Sequence, residues 1–150
     1  MANDLYQYVF NQNLTSREEV YDFLASQIES KTLTQEEIKG KFLEREALGS
    51  IEIAKEVVLP HFEGAISKNK IIILRPKDTI ANWSENVEKV KIIVAIVVNS
   101  RVNVEVKQKI QHLIKNLTDE RFIKLLMIGS QTEIRNYLKN NLGEKYGVTK

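Results

Sequence analysis

Residues 90–98 read Val-Lys-Ile-Ile-Val-Ala-Ile-Val-Val, and this stretch decides the fold class. Its uninterrupted part, Ile92 to Val98, consists mainly of β-branched side chains, which suits a strand that is apolar on both faces. A membrane-spanning helix needs about 20 apolar residues, so this run is too short to cross a bilayer. Two shorter runs precede it, Val57-Val58-Leu59 and Ile71-Ile72-Ile73-Leu74. Together the three runs predict a buried β-sheet.

Helical patterns lie on either side of these strands along the chain. Apolar residues at helical spacing predict two helices before the strands and three after them. Pairs with the spacing of a capping box mark three of the helix starts: Ser16 with Glu19, Thr34 with Glu37, and Ser130 with Glu133. Gly49 and Gly143 are expected to end the second and the last helix. This order predicts an α/β fold, a three-layer sandwich in which a mixed β-sheet is flanked by helices on both sides.

The composition is that of an ordinary globular protein. The chain has 150 residues, of which 43% are hydrophobic and 28% charged, a length typical of one domain. No linker rich in proline, glycine or serine divides it, so residues 1–150 are expected to form a single domain. The first residues, 1–13, are mixed polar and aromatic, and a tail, a first strand and a docking arm are all open for them.

Several classes of function are excluded by what the sequence lacks. The chain has no cysteine, which excludes a disulfide scaffold, a thiolate metal site and a cysteine nucleophile and fits a cytoplasmic protein. No apolar segment typical of a secretory signal precedes Arg17. The net charge is only +2, so no nucleic-acid partner is expected. The glycines form no phosphate-binding loop and the two histidines no metal-ligand spacing, so neither a cofactor nor a metal is expected.

His61 is the most informative candidate for chemistry. It follows Pro60 directly after the run Val57-Val58-Leu59, which places it at the end of a strand, where functional sites concentrate. A surface histidine in a turn is the alternative. Arg45 and Glu46, near the end of a helix, are equally compatible with a solvated helix end.

Two other residues are also ambiguous. His112 falls off the apolar stripe of its helix, which allows a position facing a site or a solvated one. Trp83, the only tryptophan, is expected to pack in or beside the core rather than to stack on a ligand.

Two stretches of the sequence resemble a known family. Residues 42–50, Phe-Leu-Glu-Arg-Glu-Ala-Leu-Gly-Ser, and residues 58–61, Val-Leu-Pro-His, are similar to the enzyme IIA domain of the bacterial phosphoenolpyruvate-dependent sugar phosphotransferase system. The similarity is to the mannitol/fructose class, which includes the nitrogen-regulatory paralogue. That family has an Arg-Glu pair, a Gly-Ser-Thr-Gly loop and an Ala-Ile-Pro-His strand end, and the interval from Arg45 to His61 aligns without a gap. The resemblance covers roughly residues 16–138.

The resemblance implies a phosphoryl relay. His61 would accept a phosphoryl group from the phosphohistidine of the carrier protein HPr and pass it to a cysteine of an enzyme IIB domain. Arg45 would stabilise the phosphoryl oxygens, and His112 would lie beside His61 and support it. The family relation also implies a cytoplasmic protein that does not insert into the membrane.

The sequence departs from the family pattern in three places. Ile51 replaces a threonine and Glu52 a glycine of the loop, and Phe62 replaces the glycine that commonly follows the histidine. Because Glu52 would add a negative charge next to a phosphoryl group, we expect it to slow phosphoryl transfer if it borders the site. The altered loop keeps a second function open, that of a regulatory module without a transport role, which binds a transcription regulator, a kinase or a transporter.

Overall fold

The structure, a computed structural model, describes residues 5–147 and the side-chain surroundings of residues 5–140. The chain forms two compact units, of which the first ends at Val102 and the second begins at Asn103. No change in composition marks this boundary. Asn103 caps the first helix of the second unit, since its side chain accepts a hydrogen bond from the Val106 backbone N–H.

The first unit contains eight strands and two helices among its described residues. In chain order these are β1 (Tyr6–Gln12), α1 (Arg17–Ser26), α2 (Gln35–Leu48), β2 (Glu52–Ala54), β3 (Val57–Val58), β4 (His61–Gly64), β5 (Lys70–Pro76), β6 (Ile80–Ala81), β7 (Lys89–Val90) and β8 (Ile92–Asn99). The second unit contains α3 (Val104–Asn116), α4 (Glu120–Ile128) and α5 (Gln131–Gly147). No helix in the described part of the chain is long and apolar enough to cross a membrane.

The main sheet is mixed and is organised around β8. The strand order is β1-β5-β8-β3-β2, and β4 also pairs with β8. β8 runs antiparallel to β5 and parallel to β3 and β4. Every residue from Ile92 to Val97 is fully buried, because this strand has neighbours on both edges and apolar side chains on both faces. The predicted α/β fold with a mixed sheet is confirmed.

The core of the first unit lies between this sheet and the two helices α1 and α2. Apolar side chains of both helices pack against one face of the central strands. The helices contribute Val20, Tyr21, Leu24, Ile38 and Phe42, and the strands β5 and β8 contribute Ile72, Leu74, Ile93 and Ala95. Tyr21 stacks on Phe42 with ring centroids 5.1 Å apart, and Phe42 contacts Phe62 of β4 at 5.6 Å. These aromatic contacts fix α2 against β4.

The segment at Pro60 differs from the sequence prediction. His61 does not end a strand but begins β4, and the chain keeps the same register along β8 on both sides of Pro60, with Val58 opposite Ile93 and His61 opposite Ile96. Proline has no N–H, but its carbonyl still accepts a hydrogen bond, here from the Ile96 backbone N–H at 2.8 Å. Pro60 therefore interrupts the pairing without turning the chain away from β8.

The predicted helix starts and the predicted end of α2 near Leu48 are confirmed, whereas the left-handed conformation expected of Gly49 and the helix end expected at Gly143 are wrong. Reciprocal capping bonds join Thr34 with Glu37 and Ser130 with Glu133, and the Ser16 side chain caps α1. Gly49 follows α2 but has a φ of 172°, an extended conformation that leads into β2 and does not require glycine. α5 continues past Gly143, because one glycine costs only about 1 kcal/mol in a helix.

The N-terminal segment is a strand. Residues 6–12 form β1, which pairs in parallel with β5. The rings of Tyr6, Tyr8 and Phe10 lie in a row along one face with centroids 6.3 Å apart, and the Arg75 guanidinium lies 4.2 Å from the centre of the Phe10 ring. Of the three interpretations, a tail, a first strand or a docking arm, the structure confirms the first strand for residues 6–12.

The loop that departs from the family pattern forms a hairpin between β2 and β3. Ile51 is only 6% exposed and belongs to the core, whereas Ile53 is 39% exposed. Glu56 occupies the turn with a φ of 66°, and its backbone N–H donates to the Glu52 carboxylate at 3.3 Å. Ile51 therefore adds apolar surface to the core at the position where the family has a threonine. The Glu52 carboxylate stabilises the turn by accepting the hydrogen bond from Glu56.

We predict that Ile51→Thr lowers the free energy of unfolding by about 1–3 kcal/mol, because a hydroxyl replaces buried apolar surface. The matched control is Ile53→Thr, the same substitution two residues away on an exposed side chain, which should change stability by less than about 0.5 kcal/mol. Urea unfolding of both variants measures the difference. Equal losses would contradict the assignment of Ile51 to the core.

Candidate functional site

A cavity of about 320 Å³ lies within the first unit beside His61. α2 contributes four side chains to its wall and β4 contributes three: Lys41, Glu44, Arg45, Leu48, His61, Phe62 and Glu63. The two segments that carry the Arg-Glu pair and the Pro-His pair are thus adjacent in space. The cavity is lined by both charged and apolar groups.

The helical repeat explains which side chains of α2 reach this cavity. Ile38 and Phe42 are spaced by four residues and point into the core, where each is 1% exposed. Lys41, Arg45 and Leu48 follow one another at intervals of four and three residues on a neighbouring stripe. Packing of the apolar stripe against the sheet therefore directs the second stripe toward β4.

His61 is half-buried at the start of β4, and its environment favours the neutral imidazole. Burial lowers the pKa of His61 below its usual value of 6.5, the positive charge of Arg45 lowers it further, and Glu63 partly opposes both effects. Both effects therefore favour the uncharged ring at neutral pH. A neutral imidazole has a free lone pair and can act as a nucleophile.

Arg45 supplies positive charge to the same cavity. Among the described residues, neither Arg45 nor Lys41 is joined to another side chain by a hydrogen bond or an ion pair. A guanidinium has planar N–H donors that match the oxygens of a phosphoryl group in two-point contact. The arrangement therefore combines a nucleophilic nitrogen with an available cation, as an acceptor of a phosphoryl group requires.

Glu46 is the residue that sequence reasoning missed. Its side chain is 9% exposed rather than solvated, and its carboxylate accepts hydrogen bonds from the Tyr21 hydroxyl at 2.6 Å and from Trp83 Nε1 at 3.0 Å. Arg17 Nη1 lies 3.5 Å from the same carboxylate. Burial and the adjacent carboxylate raise the pKa of Tyr21. The spacing of Ile38, Phe42 and Glu46 by four residues was the available signal, since it places Glu46 on the buried stripe.

The remaining predicted residues fall in different places. Trp83 is 2% exposed, as expected for a residue of the core. His112 lies on α3 in the second unit, is half-buried and precedes the buried Leu113. The structure thus brings Arg45 and His61 together within the first unit, and the expected position of His112 beside them stays a prediction.

The wall of this cavity does not include Glu52, which was expected to border the site. No residue of the segment 50–56 lines the cavity, and Glu52 instead bonds the backbone of Glu56. Phe62, the third departure from the family pattern, is 1% exposed and packs beneath the cavity. Slow phosphoryl transfer caused by Glu52 stays a prediction.

The described residues offer no cluster of metal ligands. Within the part of the chain that the structure describes, no three histidine, aspartate or glutamate side chains lie close enough to hold one ion together. The cavity has one imidazole, two carboxylates and two cations. Its cations suit an anion rather than a metal ion.

Comparison with known proteins agrees with this arrangement. Residues 5–141 match the family model described as phosphoenolpyruvate-dependent sugar phosphotransferase system, EIIA 2. No match to a curated protein was found.

Solved structures with the same fold include three structures of two IIA proteins. The nitrogen regulatory protein IIA-Ntr from Neisseria meningitidis has a TM-score of 0.73 at 17% identity, over 89% of this chain and 96% of that one. The mannitol enzyme IIA of Escherichia coli, in complex with phosphorylated enzyme IIB, has a TM-score of 0.61 at 15% identity, over 89% and 97%. The crystal structure of mannitol IIA from E. coli has a TM-score of 0.59 at 17% identity, over 87% and 94%.

These TM-scores establish a shared fold, and the family match extends over most of the chain. Both findings confirm the resemblance seen in the sequence around Arg45 and His61. The protein therefore belongs to the EIIA 2 family of the phosphoenolpyruvate-dependent sugar phosphotransferase system.

Proposed function

We propose that this protein is a phosphoryl carrier in which His61 accepts a phosphoryl group from phospho-HPr and passes it to an enzyme IIB domain. The observation that carries the proposal is the neutral, half-buried His61 beside the available Arg45 guanidinium in one cavity. In the first step the bond between phosphorus and the HPr histidine breaks as a bond to the His61 ring nitrogen forms. In the second step the same group moves to a cysteine of enzyme IIB. Both steps transfer the group directly and need no cofactor or metal.

The side chains around His61 suit such a transfer. Phosphoryl transfer passes through a loose transition state, so catalysis consists mainly of positioning and of stabilising the charge on the oxygens. Arg45 would bind these oxygens, and burial of His61 keeps its lone pair available. His112 would support the phosphorylated ring from α3. The partners are then HPr and enzyme IIB, in the cytoplasm, without nucleic acid or membrane insertion.

The proposed acceptor has a parallel among the solved structures. The mannitol enzyme IIA of E. coli was solved in complex with phosphorylated enzyme IIB. Leu48, at the rim of the cavity, is 84% exposed. An exposed apolar side chain next to the phosphoryl site suits a surface that a partner protein covers during transfer.

A regulatory function is the second candidate. The fold is shared with the nitrogen regulatory protein IIA-Ntr at a TM-score of 0.73, and the loop before His61 departs from the family pattern at Ile51 and Glu52. In this case the protein would take up phosphate on His61 but would bind a transcription regulator, a kinase or a transporter instead of passing the group to enzyme IIB. Transfer from the phosphorylated protein to a IIB domain encoded in the same genome separates the two functions.

We predict that His61→Gln abolishes uptake of phosphate, whereas His112→Gln slows it by about 10–100-fold because it removes positioning but not the acceptor. The measurement is intact mass after incubation with phosphoenolpyruvate, enzyme I and HPr, in which the wild type gains one acid-labile phosphate. Circular dichroism checks that both variants are folded. Uptake by His61→Gln at the wild-type rate would place the acceptor on another residue.

We predict that Arg45→Gln raises the pKa of His61. Loss of the nearby positive charge makes protonation of the ring less costly, while the effect of burial remains, so the pKa should stay below the usual 6.5. NMR titration of the His61 ring measures the change. The matched control is Lys41→Gln, which removes another cation of the cavity but one that does not act on His61. A larger shift in the control than in Arg45→Gln would contradict the assignment.

A further inference from the structure

Glu46 lies next to Arg45 in the sequence but points in a different direction. Successive residues of a helix are about 100° apart around its axis, so one side chain can enter the core while its neighbour faces the cavity. Glu46 contacts the Tyr21 hydroxyl and Trp83 Nε1, and Arg45 lines the wall beside His61. The orientation of one side chain therefore determines that of the other.

The contacts of Glu46 tie α2 to two other segments of the first unit. Tyr21 and Arg17 belong to α1, and Trp83 belongs to the connection between β6 and β7. The Trp83 ring also meets the Tyr21 ring edge-on at 5.7 Å. Hydrogen bonds are directional, and these two approach from different segments, so together they oppose rotation of α2 about its axis.

The carboxylate is well suited to this role because all its partners are donors. An anion in the last turn of a helix is unfavourable next to the helix dipole, and a buried carboxylate is costly unless donors satisfy it. Tyr21, Trp83 and Arg17 provide those donors. Glutamine would present an N–H group to one of them and would lose the negative charge that attracts Arg17.

We propose that Glu46 is a positioning residue that holds Arg45 beside His61 by fixing the rotation of α2. The inference rests on the proposed function in that Arg45 binds the phosphoryl group. In this proposal Glu46 acts on the site by orienting Arg45 and does not itself contact the phosphoryl group. The groups that act on His61 from the cavity are Arg45 and Glu63, and Lys41 and Glu44 complete its charged lining.

The test compares Glu46→Gln and Tyr21→Phe with the wild type. Each variant should raise the pKa of His61, measured by NMR titration, because α2 turns and Arg45 moves away from the ring. Each should also slow phosphate uptake from phospho-HPr on the order of 10–100-fold. In an Arg45→Gln background, Glu46→Gln should have no further effect on the pKa of His61, because the effect passes through Arg45.

The control is Ile38→Val, which loosens the packing of the same helix but leaves the hydrogen bonds of Glu46 intact. The proposal is overturned if Glu46→Gln and Tyr21→Phe leave the pKa of His61 unchanged, or if Ile38→Val at equal stability shifts it as much. If Glu46→Gln does not fold, Tyr21→Phe decides, since it keeps the ring that stacks on Phe42. If the wild type takes up no phosphate, the proposed function fails, and the pKa comparison still tests the role of Glu46.

Discussion

The hydrogen bonds of the largely buried Glu46 carboxylate, whose side chain is 9% exposed, are the interaction on which the site depends. The carboxylate accepts hydrogen bonds from the Tyr21 hydroxyl and from Trp83 Nε1 and forms an ion pair with Arg17. These contacts join α2 to α1 and to the connection between β6 and β7. Apolar packing of α2 alone would tolerate small rotations, because hydrophobic contacts are not directional. The hydrogen bonds from Tyr21 and Trp83 oppose such rotation of α2, because they reach Glu46 from two different segments. The face of α2 that carries Arg45 is consequently fixed toward β4.

The other half of the site depends on the register of β8. β3 and β4 follow β8 in one register although Pro60 lies between them, so the position of His61 is set by the most deeply buried strand of the sheet. The proline carbonyl keeps one bond to Ile96, and the pairing resumes at the next residue. A histidine held in this way is partly desolvated without being enclosed. The same desolvation lowers its pKa and favours the neutral imidazole, as the proposed role of nucleophile requires.

The departures from the family pattern are explained by packing rather than by chemistry at the cavity. Ile51 and Phe62 are buried in the core of the first unit, where they add apolar surface. Glu52 binds the backbone of Glu56 at the turn of the β2–β3 hairpin, a turn in which a residue other than glycine adopts a positive φ. Ile51 and Glu52 therefore act in the scaffold, whereas Phe62 packs in the core and also lines the cavity with Arg45 and His61.

The sequence by itself determined the fold class and the helix starts, and its resemblance to the enzyme IIA family drew attention to Arg45 and His61. The fold class and the helix starts follow from local rules: the β-branched run of Ile92 to Val98 and the capping pairs. Only the tertiary structure decided that the Glu46 side chain is largely withdrawn from solvent and that Glu52 bonds the backbone of Glu56 instead of lining the cavity. A carboxylate can be solvated or satisfied by buried donors, and the choice depends on residues distant in sequence, here Tyr21 and Trp83, whose positions no local pattern records.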